Sequence, residues 1–149
     1  MKPWQMSVLL GVVLVAVVVF AAKGMVTEPA TPSASVTQGD LAPQAQFETA
    51  LKSQRPVLVL FHSLTCVPCK LMEERVNLVR PEFEQQIAFV DVNVYDPLNR
   101  GFIQAAQVRA IPTTLLVDKQ GKGQNIIGAI SEEELRTQLQ QLLAGFTSE

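Results

Sequence analysis

Two cysteines, the only ones in the chain, stand two residues apart at Cys66 and Cys69, directly behind an apolar run at 57–61. A run that short and that apolar reads as a buried strand. Pro68, between the cysteines, suits the first turn of a helix, where its missing N–H costs nothing, and it stiffens the loop. A strand, a tight turn and a helix starting at the second cysteine would hold the first sulfur over the helix's positive end. That environment favours a thiolate.

The residues around the pair alternate between two periods. Positions 43–54 place Phe47, Ala50 and Leu51 at helical spacing, and 69–79 carry Leu71, Met72, Val76 and Val79 on one side. Strands are expected at 87–94 and 113–118, with a short helix at 98–107 between them. Lys119-Gln120-Gly121-Lys122 makes a turn before a strand at 124–130. The stretch 131–144 closes as a helix with Leu135, Leu139, Leu142 and Leu143 on its apolar face, and Ser131 with Glu134 forms a capping box. The order predicts an α/β domain: a parallel βαβ unit and an antiparallel ββα unit in one mixed sheet, with helices on both faces. The cysteine turn then falls at the carboxyl edge of the sheet, where such folds place their chemistry.

With 149 residues, 48% of them hydrophobic, the chain is expected to hold one compact domain and an appendage. The appendage is at the front. No residue from 8 to 20 is polar, Lys2 and Lys23 bracket the run, and Trp4 stands where an interfacial aromatic would. The run 6–22 lies between a signal-peptide core and a spanning helix in length; residues 1–23 are read as an uncleaved membrane anchor, with a cleaved signal and a secreted domain as the alternative. Positive charge ahead of the run favours an inside amino terminus and a domain outside the cytoplasm, on the periplasmic or cell-surface side. Residues 24–40, with Pro29 and Pro32 among Thr, Ser, Ala and Gln, read as a flexible linker to a domain at 41–149. The net charge of -2, with basic residues scattered singly, points away from nucleic acid.

Four segments carry a family resemblance: VLVLF at 57–61, CVPCK at 66–70, IPTTLLVD at 111–118, and the Gly121 turn followed by Gly128. Across 41–144 the chain resembles thioredoxin-like thiol-disulfide oxidoreductases. The Val67-Pro68 dipeptide is similar to that of membrane-anchored, extracytoplasmic members. The resemblance implies the thioredoxin fold, a redox-active Cys66–Cys69 disulfide, no cofactor, and a cis proline at Pro112 beside the disulfide. Where the family has an aromatic residue before the first cysteine this chain has Thr65, and where it often has a buried acid six positions before that cysteine the chain has Leu60.

Cys66, at the helix start, is the expected nucleophile, and Cys69, one turn deeper, resolves the mixed disulfide. Val67, Pro68, Ile111 and Pro112 are the expected substrate-binding residues; a cis bond before Pro112 would offer the main chain of Ile111 to an extended client. His62, the sole histidine, is a candidate for proton transfer, because imidazole titrates near neutrality. Asp91 is another, in place of the missing acid; packing and solvation are the plainer roles for both. Two cysteines and one histidine fall short of a closed zinc site, so no metal is expected. A purely structural disulfide would close too short a loop to remove much chain entropy. The chain is therefore read as an enzyme that exchanges disulfides with exported proteins, more as a reductase than an oxidant, supplied by a membrane or soluble electron donor. The alternative is a binding module whose thiols only regulate or tether.

Overall fold

The computed structural model describes residues 41–146. The anchor expected at 1–23 and the linker at 24–40 lie outside the described residues, as do positions 147–149. Among the described residues no helix is long and apolar enough to cross a membrane.

Helix α1 is Pro43–Lys52, strand β1 Val57–His62, helix α2 Val67–Phe83 and strand β2 Ala88–Asn93. A 3-10 turn at Pro97–Asn99 leads into α3, Arg100–Ala105, followed by β3 at Thr113–Val117, β4 at Gly123–Ile127 and α4 at Glu132–Ala144. The sheet order is β2-β1-β3-β4. β1 runs parallel to β2 and antiparallel to β3, and β3 runs antiparallel to β4. This is the mixed sheet expected from the periodicity.

All six residues of β1 are buried, as a central strand covered on both faces requires. Its side chains alternate between two cores. Leu58 and Leu60 pack with Met72, Val76, Val79 and Phe83 of α2 and with Leu135, Leu139 and Leu142 of α4. Val57, Val59 and Phe61 pack on the other face with Ala50, Val90, Val92 and Phe102. There the rings of Phe47 and Phe61 flank Phe102, with centroids 5.1 and 5.4 Å away. Burying a leucine of this kind contributes about 2 kcal/mol, so the two cores together hold the sheet between its helices.

Three local features differ from the expectation. α2 begins at Val67 rather than at Cys69, because the Cys66 sulfur accepts the Cys69 N–H at 3.2 Å and caps the helix so that it starts two residues earlier. The same helix runs through Pro81 to Phe83, whose ring reaches the core; Leu71, assigned to the apolar side, is instead exposed. At α4 the Ser131 hydroxyl accepts the Glu134 N–H at 3.1 Å, but the Glu134 carboxylate accepts from Gln138, so only half of the capping box forms.

Candidate active site

Ser63 to Thr65 turn the chain from the end of β1 into α2, with the Cys66 N–H donating to the Ser63 carbonyl at 3.4 Å. Cys66 and Cys69 are joined as a disulfide, their Cα atoms 5.1 Å apart. Cys66 is partly exposed and Cys69 is 0% exposed. The asymmetry follows from helix geometry: Cys66 is the cap, whereas Cys69 heads the buried stripe Cys69, Met72, Val76, Val79. An incoming sulfur can therefore reach Cys66 but not Cys69. When the bond opens, a Cys66 thiolate faces the unsatisfied N–H groups at the start of α2. Lys70 next to it is exposed to solvent.

Val67 is 71% exposed and Pro68 is also exposed, on the outer rim of the disulfide. The Ile111–Pro112 peptide is cis. Pro112 is buried and its carbonyl accepts the Gly128 N–H at 2.8 Å. Gly128 has φ +92°, a conformation that side chains other than hydrogen resist, which accounts for glycine there. Thr113 is paired opposite Phe61, one residue before His62, so β3 begins at the carboxyl end of β1 and brings the Ile111–Pro112 loop to the same edge. No hydrogen bond among the described residues engages the N–H or C=O of Ile111.

His62 and Asp91, weighed separately in the sequence, are in contact. His62 is 3% exposed, and its Nε2 lies 2.6 Å from Oδ1 of Asp91, whose side chain is half exposed. Strand register brings them together: Asp91 pairs with Leu60, placing its side chain on the same face as Leu60 and His62.

The sequence reading did not single out the loop after β2. The Val94 N–H donates to the His62 carbonyl at 2.9 Å, which holds this loop beside the disulfide end of β1. Tyr95 and Leu98 stand 74% and 88% exposed there, and Leu64 is exposed in the turn before Cys66. The available signal was two large apolar side chains flanking Asp96-Pro97, a turn initiator. Among the described residues no group of three or more His, Cys, Asp or Glu side chains is placed to hold a metal.

A sequence profile described as Thioredoxin matches residues 40–141, and the chain belongs to the thioredoxin family. Over 94 residues it is 34% identical to "Thioredoxin M-type, chloroplastic" of Brassica napus, covering 62% of this chain and 51% of that protein. It is 28% identical over 114 residues to "Thiol:disulfide interchange protein TxlA" of Synechococcus elongatus, covering 75% of this chain and 60% of that one. The chain thus spans about half to three fifths of the length of these curated relatives. The crystal structure of chloroplastic thioredoxin z superposes with a TM-score of 0.59 at 21% identity, over 68% of this chain and 90% of that one, a likeness of fold. The CxxC pair of this thioredoxin-family domain is present as the Cys66–Cys69 disulfide.

Proposed function

We infer that this protein is a thiol-disulfide oxidoreductase that reduces disulfides in exported proteins while tethered to a membrane by its amino-terminal segment. One observation carries the exchange chemistry: a disulfide whose first cysteine is partly exposed at a helix start and whose second is wholly buried. In the reduced state Cys66 attacks a client disulfide, and Cys69 then displaces the client sulfur and restores the Cys66–Cys69 bond. Val67 and Pro68 form the contact surface, and the unpaired main chain of Ile111 beside Pro112 serves an extended client segment as a neighbouring strand would.

The tether rests on sequence: the apolar run from 8 to 20 between Lys2 and Lys23, and the Pro- and Ser-containing stretch after it. A domain on the far side of that membrane meets an oxidising compartment, where a reductase needs a membrane or soluble electron donor.

Replacing Cys69→Ser in the full chain tests the exchange. An exchange enzyme accumulates client proteins bonded to Cys66, released by added thiol and lost when Cys66 is also replaced. A pure binding module retains its partners without covalent capture, and that result would refute the enzymatic reading. The reduction potential of the Cys66–Cys69 couple tests direction: every 30 mV corresponds to about 1.4 kcal/mol, and a strongly oxidising value would reverse the assignment as a reductase.

A further inference from the structure

The exchange reading above, on which this inference rests, leaves one proton unassigned. Cys69 must lose its proton before it can attack, yet it is wholly buried, and Leu60 on the strand beneath offers only a hydrocarbon. Apart from the cysteines, the buried titratable side chains among the described residues are His62 and Asp118. Asp118 follows Val117, which pairs with Val57, at the end of the sheet remote from the disulfide. His62 stands at the disulfide's own end.

The face is also right. Alternation along β1 puts Leu58, Leu60 and His62 on the side covered by α2. Leu58 and Leu60 pack against Met72, Val76 and Val79, and Cys69 heads that same stripe at the His62 end of the helix. A carboxylate can only accept, so the 2.6 Å contact with Asp91 places the imidazole proton on Nε2 and leaves the lone pair on Nδ1. That Nδ1 is buried and has no hydrogen-bond partner. A buried acceptor left open at the edge where a buried donor must be deprotonated is the arrangement a base requires.

We propose that His62 accepts the Cys69 proton through Nδ1, and that Asp91 positions the ring and passes charge compensation out to solvent. The step balances as follows. The Cys69 S–H bond breaks, its proton moves to Nδ1, and the sulfur keeps the electron pair. That pair forms the bond to the Cys66 sulfur as the Cys66–client S–S bond breaks, and the client sulfur leaves with the electrons of that bond. Two electrons thereby pass from the dithiol to the client over the whole cycle, and the imidazolium gives its proton to the departing thiolate or to water. Asp91 opens onto a cleft of about 310 Å³ at the free edge of β2, lined also by Arg55, Arg80 and Glu84. The helix packed over the pair's face of the sheet, α2, also carries Lys70, Glu73, Glu74, Arg75 and Glu82, and the loop after β2 carries Asp96.

The test isolates the second half of the reaction. In the reduced full-length protein, Cys66 is loaded as a mixed disulfide with 2-nitro-5-thiobenzoate, and release of the coloured thiolate is followed against pH. The native protein should show a rate that levels off above neutrality. His62→Gln should slow release by about a hundredfold at neutral pH and leave a rate that climbs about tenfold per pH unit with hydroxide. Asp91→Asn, a change at the surface that leaves the core intact, should give a smaller loss with a displaced profile. A structural role alone would lower stability and leave both profiles native in shape. Native profiles in both variants would overturn the relay; should His62→Gln fail to fold, a native profile in Asp91→Asn would do so alone. If the native protein releases no thiolate at all, the exchange reading falls and the relay with it.

Discussion

The two ends of the sheet each bury one titratable side chain, His62 at the end of β1 and Asp118 just past β3, and they treat it in opposite ways. At the end away from the disulfide, Oδ1 of Asp118 accepts the N–H groups of Gln120 and Lys122 at 2.9 Å each, and Oδ2 accepts that of Phe146 at 3.4 Å. At the disulfide end, His62 has one nitrogen held by Asp91 and the other with no partner. The first end is saturated, as a closed turn should be. The second is left open, and a fold tolerates an open polar atom in its interior where chemistry uses it. The two ends of one sheet thus differ in how fully their buried polar groups are bonded, because each end faces different loops.

Changes at the disulfide end should alter exchange, and changes at the other end should alter stability. The largest effect is expected from Cys66→Ser, which should reduce disulfide exchange with a protein substrate to the uncatalysed rate while the far-ultraviolet circular dichroism remains native. Asp118→Ala comes next. It removes the carboxylate that accepts the N–H groups of Gln120, Lys122 and Phe146, and should cost about 2 kcal/mol in urea unfolding with the exchange rate of the folded protein unchanged. A loss of exchange in that variant beyond its loss of folded protein would break the separation of the two ends.

Ser131→Ala removes the cap of α4 and should cost about 1 kcal/mol, read by the same unfolding assay. The smallest effect concerns the α2–α4 surface. Bonding to Arg136, reinforced by its charge, holds the Glu82 carboxyl below the usual range. A depressed carboxyl contributes stability above its ordinary titration range, and the contribution disappears as pH falls through the lowered value. Glu82→Gln should therefore flatten the acid side of the stability–pH curve slightly, by little because both partners are exposed and screened by solvent.

Much of this architecture was legible in the chain. The apolar run at 57–61 is a buried central strand because both its faces are covered, which a continuous hydrophobic run signals. The leucines of the last helix are core residues because their spacing matches one helical face. Less legible were features that depend on which neighbour wins a shared atom. Leu71 sits at the edge of the apolar stripe and fell outside it once Met72 and Val76 took the sheet. Glu134 bonded Gln138 one turn on rather than the cap behind it. The start of α2 moved because a sulfur, not a hydroxyl, served as its cap.

What the sequence determined by itself is the order of elements, the pairing of Cys66 with Cys69 through their spacing, and the proline beside them, since each depends on residues near one another along the chain. Only the tertiary structure decided that Asp91 meets His62 across 29 positions. Parallel register set Leu60 opposite Asp91, and alternation turned both side chains to one face. Such a contact is a property of how two strands align, which no local pattern encodes.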